Sequence, residues 1–270
     1  MNIAVITGAS SGMGEEFAKQ LSSDRFAHIG GPFDEIWLLA RSKDKLDSLV
    51  NALGKDHFRA VPCDLTDKAS VESFAALLSS EKPTVGLLIN SAGMGKNGPF
   101  LSQSVEETDQ AVTLNCRALS EVTRIVLPYM TPKGENATKK DRPRIINIAS
   151  SAGFLPQPGF AIYAATKSFV ISFSRALNVE LKEKNITVTC VCPGPCETNF
   201  IKVSKSDPNA TFTGFKSKFV TTVDKLIPAS LRAAGKGKSM LVFGLGQKFL
   251  HLASKIVPTN WILFFERKMV

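Results

Sequence analysis

The chain is 270 residues long, 44% apolar and 21% charged, a globular composition with ample length for a buried core, so a disordered or low-complexity polymer is excluded. Its formal net charge of +9 resides wholly in residues 201–270, which hold 12 Lys and Arg against 3 Asp and Glu, whereas residues 1–200 balance 21 against 21. Such an excess points to a partner or substrate of the last segment, and no nucleic-acid recognition module accompanies it.

The chain opens MNIAVITGAS, an apolar strand-like run without a basic leader region, so no secretory signal is expected. Five cysteines (Cys63, Cys116, Cys190, Cys192, Cys196), odd in number and scattered, predict free, packed thiols in a reducing, cytoplasmic setting. Three distant histidines (His28, His57, His251) give no metal-ligand set, and no metal is expected. WILFF (261–265) is about a quarter of a bilayer crossing, so no transmembrane helix is expected.

In chain order, strand-length apolar runs occur at 3–7 (IAVIT), 35–40 (EIWLLA), 58–65 (FRAVPCDL), 85–90 (VGLLIN), 144–150 (RIINIAS), 186–193 (ITVTCVCP) and 239–244 (SMLVFG). Helical-period segments lie between them, among them GEEFAKQLSS, SKDKLDSLVNALG, DKASVESFAALLSS and VEETDQAVTLNCRALSEVTRIVLPYM. Continuous apolar strands alternating with amphipathic helices predict an α/β fold, a doubly wound parallel sheet covered on both faces. The polar stretch 131–144 reads as a surface loop with a strand directly after it, so 1–270 is taken as a single domain.

The first strand runs into TGASSGMG and then a helix. Gly8 permits the turn, and Gly12 and Gly14 are expected to let backbone amides approach a pyrophosphate at the helix N-terminus. Thr7, Ser10, Ser11 and Met13 belong to the same candidate cradle. The second strand ends at Arg41, where a carboxylate would accept a ribose 2′-hydroxyl; a guanidinium instead clasps a 2′-phosphate, so NADP(H) is favoured over NAD(H).

Tyr163 and Lys167, in IYAATKSF, stand at i and i+4 and leave a helix from one face. Either they are an interface aromatic and a solvated charge, or the ammonium lowers the phenol's pKa so that it can pass a proton near neutral pH. The surrounding motifs choose. NSAG (90–93), NIASSAG (147–153), YAATK and PGPCET (193–198), in that order after the glycine turn, resemble the classical short-chain dehydrogenase/reductase family over about residues 1–200.

The resemblance implies a Rossmann-type sheet of about seven parallel strands and an oxidoreductase that interconverts a carbonyl and an alcohol. It implies Tyr163 as acid/base, Lys167 as the ammonium that depresses the phenol and holds the nicotinamide ribose, and Ser150 as the hydroxyl on the substrate oxygen, with Ser151 the near competitor. It implies Asn115 as the residue whose side chain supports a water in a proton relay. Asp64 and Leu65 are implied at the adenine, Asn90, Ala92 and Gly93 along the cofactor cleft, and Pro193, Gly194 and Thr198 about the nicotinamide. A homodimer or homotetramer through the helices carrying Asn115 and Tyr163 is implied as well. A non-catalytic dinucleotide sensor or scaffold is the alternative.

Residues 197–235 mix Phe200, Phe212, Phe215, Phe219, Leu226 and Ile227 with lysines and predict a lid over an apolar, steroid-, bile-acid- or lipid-like substrate. Residues 245–270 form a basic, amphipathic, aromatic tail with three readings: packing on the domain or a sister subunit, peripheral contact with an anionic membrane through Trp261, Phe264 and Phe265, or attraction of a bulky hydrophobic anion.

Overall fold

Six consecutive buried residues make β1 (Asn2–Thr7) an interior strand, flanked on one edge by β2 (Glu35–Ala40) and on the other by β4 (Thr84–Asn90). In this computed structural model, which describes residues 1–23, 26, 29–54, 56–132, 142–198, 200–205, 207 and 220–267, the sheet has seven strands in the order β3-β2-β1-β4-β5-β6-β7, every pair parallel. The outer members are β3 (Phe58–Pro62), β5 (Arg144–Ile148), β6 (Thr187–Cys192) and β7 (Met240–Val242). The helices are α1 (Gly12–Leu21), α2 (Lys43–Leu53), α3 (Lys68–Glu81), α4 (Val105–Val112), α5 (Leu119–Val126), α6 (Ala161–Glu180), α7 (Phe200–Ser204), α8 (Val223–Gly235), α9 (Leu245–Ile256) and α10 (Thr259–Arg267).

The two-residue period of β1 divides its side chains between two cores. Ala4 and Ile6 pack with Phe17 of α1, Leu46 of α2 and Leu231 of α8. Ile3 and Val5 pack with Phe74 of α3, Val122 of α5 and Leu177 of α6. Chain order reverses across β1 and β4, so the loops at their carboxyl ends part in opposite directions and leave a crevice there. This is the doubly wound Rossmann-type fold expected from the sequence.

Two expectations change. Leu226 and Ile227, placed on a lid by the sequence reading, are fully buried core residues of α8. Pro228 inside that helix costs about 3 kcal/mol. Leu226, Ile227 and Leu231, each fully buried, contribute roughly 1.5–3 kcal/mol apiece and outweigh it, so α8 docks despite its proline. Phe200 lies in α7, whereas the middle of the expected lid, residues 208–219 with Phe212, Phe215 and Phe219, lies outside the described residues, as does most of the 131–144 loop. The long helical pattern after residue 104 is also not one uniform helix: a π-helical turn, Thr113–Ala118, joins α4 to α5.

Candidate active site

The glycine turn is built by close packing. Gly8 sits at φ 66°, and a Cβ there would lie 2.8 Å from the Ala92 backbone. A Cβ on Gly14 would lie 2.2 Å from the Gly8 carbonyl oxygen, so Gly14 serves to seat α1 on the strand end rather than to admit a phosphate, correcting the sequence reading. Gly12, at φ 58°, faces the Thr198 side chain. Ser11 precedes α1 without a side-chain cap bond, so no cap side chain occupies the first-turn amides. Amides so placed, at the positive end of a ten-residue helix, fit a pyrophosphate. Thr7 Oγ1 accepts from Ser91 N and Ala92 N at 3.1 and 3.2 Å, which ties the end of β1 to the segment after β4.

Arg41 is exposed just beyond β2. Of its neighbours, the Ser42 hydroxyl accepts from Lys45 N as the α2 cap, and Lys43 pairs with Asp47 at 2.7 Å on the surface. Burial pushes the Asp64 carboxyl up, but bonds from Thr66 and the nearby Arg41 charge outweigh it, and the group lies below the usual carboxylate range. The side chains of Leu65 and Asn90 are both buried. The Leu65 side chain is in the core. Asn90 Nδ2 donates to Thr123 Oγ1 and Asn147 Oδ1 at 2.9 and 2.8 Å beneath the cleft, because a buried amide between two strands and a helix finds its partners there.

Ser150, Tyr163 and Lys167 converge on one cavity of about 520 Å³, together with Met13, Gly93, Pro193, Gly194 and Thr198. Helix α6 delivers the phenol and the amine one turn apart, and the end of β5 delivers the serine. Ser150 and Ser151 both line the cavity; the Ser150 hydroxyl is the one near enough to the Tyr163 phenol to oppose its upward shift, and it accepts from Ala152 N at 3.1 Å. Phe200 and Phe160 flank the Tyr163 ring at 5.1 and 5.6 Å between centroids.

The electrostatics differ from the simple expectation that Lys167 acidifies the phenol. Burial pushes Tyr163 up to about 12, opposed by the Ser150 bond. Burial likewise pulls Lys167 down to about 8, against the coulombic pull of Cys190, Cys116 and Cys192. Lys167 Nζ donates to Ile148 O at 2.8 Å and lies 5.8 Å from the Tyr163 ring centre. The ammonium is thus within the site, but burial keeps the phenol protonated.

Asn115, 1% exposed, lies in the π-helical turn. Its Nδ2 donates to Met94 O and Thr166 Oγ1 at 2.8 and 2.9 Å, and its Oδ1 accepts from Met94 N at 2.9 Å. Both amide hydrogens are therefore committed to protein acceptors. Its side chain is a clamp between the 93–95 segment and α6, with one acceptor position left on Oδ1 for a water. A Cβ on Gly93 would come within 3.2 Å of both Asn115 Oδ1 and Lys167 Nζ, so glycine there lets the two groups approach.

A model of the short chain dehydrogenase family matches residues 2–209. The chain belongs to that family. This dehydrogenase is 32% identical to an uncharacterized oxidoreductase of Staphylococcus aureus strain N315 over 196 residues, 73% of this chain and 78% of that protein. It is 30% identical to the very-long-chain 3-oxoacyl-CoA reductase of Bos taurus over 209 residues, 75% of this chain and 62% of that protein. A solved short-chain dehydrogenase from Sphingobium yanoikuyae in complex with NADPH superposes with a TM-score of 0.74 at 30% identity, covering 94% of this chain and 93% of that one. The dehydrogenase is accordingly an enzyme acting between CH–OH and carbonyl groups with a nicotinamide dinucleotide.

Sequence reasoning missed part of the dehydrogenase's cavity wall: Gln157, Phe160, Gln247, Phe249, Leu250 and Ala253. Gln247 lies so close that a Cβ on Gly194 would meet its Nε2 at 2.5 Å. The available signal was the spacing of Gly246, Leu250 and Ala253 along the tail, a small apolar face on one side of α9.

Proposed function

We propose that this dehydrogenase is an NADP(H)-dependent reductase and alcohol dehydrogenase for a hydrophobic ketone or secondary alcohol, with Tyr163 as its acid/base. The observation that carries the reading is the single cavity in which the Ser150 hydroxyl, Tyr163 phenol and Lys167 amine meet a wall of Phe160, Phe200, Phe249 and Leu250. The apolar wall binds a lipid-like or steroid-like body and leaves its oxygen to the Ser150 and Tyr163 hydroxyls. When bound, a nicotinamide dinucleotide supplies or accepts the hydride and, oxidised, brings a positive ring beside the phenol.

In reduction, the Tyr163 phenol delivers a proton to the carbonyl oxygen while Ser150 holds that oxygen in place. Its raised pKa keeps the phenol protonated at neutral pH, and a positive charge beside it would be needed to bring its acidity toward that pH. In oxidation the phenolate must form, and Lys167, whose amine donates to Ile148 O and still carries its proton at neutral pH, supplies the stabilising charge. Arg41 supports the NADP(H) preference, because an exposed guanidinium beside Asp64 is free to take a 2′-phosphate. The exposed Phe169 and Val179 on α6 support assembly through that helix into a homodimer or homotetramer.

The test is a hydride-transfer screen with NADPH and NADH over steroids, acyl ketones and simple carbonyls, run beside Tyr163→Phe. Wild type should reduce hydrophobic ketones, and the variant should bind NADPH yet lose ~100-fold or more in turnover. NADPH binding with no turnover on any carbonyl would instead favour a non-catalytic sensor.

A further inference from the structure

Helix α9 has two apolar faces, one lining the cavity and one exposed, with Phe249 shared between them. Gln247, Leu250 and Ala253 look into the substrate cavity, and His251 packs on Phe154 with ring centres 4.5 Å apart. On the opposite side Leu245, Phe249, Leu252 and Ile256 recur at i, i+4, i+7 and i+11, one stripe along the helix, exposed by 84, 74, 58 and 71%. In α10, the next helix, Trp261 and Phe264 are exposed by 66 and 58%. Lys248 and Lys255, both exposed, border the stripe on one side, and residues 245–265 contain no Asp or Glu.

We propose that this α9–α10 face docks on an anionic lipid bilayer, with the aromatic and aliphatic stripe in the headgroup–acyl boundary and the two lysines on the lipid phosphates. Large exposed apolar groups bordered by cations, with an indole among them, match the chemistry of an interfacial helix. Among the described residues no helix is long and apolar enough to cross a membrane, so the contact is peripheral. A second copy meeting this face about a two-fold axis would set its lysines against lysines, with Glu266 the one acid in residues 245–270 against four Lys and Arg, which argues for lipid over self-association.

The position of Phe249 gives the docking a purpose. It belongs to the stripe and also lines the substrate cavity. A lipid-like substrate can therefore pass from the bilayer into the cavity along one continuous apolar surface. This part rests on the hydrophobic-substrate reading above; the docking itself is measured without turnover, so either can fail alone.

The experiment is flotation of the full chain with vesicles of phosphatidylcholine, alone or mixed with phosphatidylglycerol, with tryptophan emission recorded in parallel. Trp37 is fully buried, so an emission shift reports Trp261. Wild type should float with the anionic vesicles and shift to the blue. Leu252→Asp/Ile256→Asp should stay in solution, and Lys248→Glu/Lys255→Glu should partition about tenfold less or worse, each lysine contributing about 1 kcal/mol. Both variants should keep the wild-type thermal transition and the wild-type rate on a short, soluble ketone. Failure of wild type to bind anionic vesicles, or equal binding by the Asp variant, would overturn the proposal. So would a concentration-dependent dimer that the Asp variant disperses while vesicles stay unbound.

Discussion

Replacing Lys167 by Met should abolish turnover and yet stabilise the protein. The amine is 5% exposed, and burial lowers its pKa from 10.5 to about 8. A depression of roughly 2.5 pH units corresponds to about 3 kcal/mol at 1.36 kcal/mol per unit, the cost of keeping the ammonium inside at neutral pH. Methionine fills similar volume without that charge, but it leaves Ile148 O without its 2.8 Å donor, a loss of about 1–2 kcal/mol. A net gain of about 1–2 kcal/mol remains. The sign also fixes a pH window. Below pH 8 both folded and unfolded chains carry the proton and the cost is complete; from pH 8 upward the folded chain releases it first, so wild-type stability rises. The thiols of Cys63, Cys116 and Cys196, raised by burial, act oppositely beyond 9.0, and Tyr163 beyond pH 10. Cys190, lowered by its bond with Cys192, adds to the rise below 9.0, so the Lys167 share is the part of the pH 8 to 9 slope that the Met variant loses. Urea denaturation at pH 7, 8 and 9 is the assay, with ~100-fold loss of turnover as the functional counterpart. A Met variant less stable than wild type at pH 7, together with a wild-type profile flat from pH 8 to 9, would refute the reasoning.

Arg41→Glu should weaken NADPH about tenfold or more while leaving NADH nearly unchanged, because charge-assisted bonds to a phosphate become repulsion; fluorescence titration of both nucleotides checks this. Asn115→Ala deletes three hydrogen bonds and orphans both backbone groups of Met94, so a loss of about 2–4 kcal/mol in urea stability is expected. Because Asn115 also holds the 93–95 segment beside Lys167, turnover should fall while NADPH affinity changes little, and Asn115→Asp should recover part of the stability by keeping the bond from Met94 N.

Much of this protein was legible before any coordinates. The seven apolar runs became the seven strands, since a strand buried on both faces needs apolar residues at every position, a local property. The serine, tyrosine and lysine were legible through the resemblance of NIASSAG and YAATK to a family's motifs, whereas local spacing by itself gave only the i, i+4 pair of Tyr163 and Lys167. The π-helical turn around Asn115 was not, for it is held by Met94 and Thr166, tertiary partners 21 and 51 residues away. Leu226 and Ile227 looked like lid residues because apolar side chains among lysines suit a surface helix as well as a core one; packing against the sheet chose the core.

The same division runs through the site. Backbone periodicity, the close-packed glycine turn and the i, i+4 pair on α6 were determined by the residues themselves, whose conformational limits act over a few positions. Protonation and specificity were decided by tertiary structure, since the desolvation that sets Tyr163 near 12 and Lys167 near 8 exists only once distant segments exclude water from both. The contact of Gln247 with Gly194 likewise joins segments far apart in the chain, and with it came the orientation of α9 that puts one apolar face on the cavity and the other in solvent.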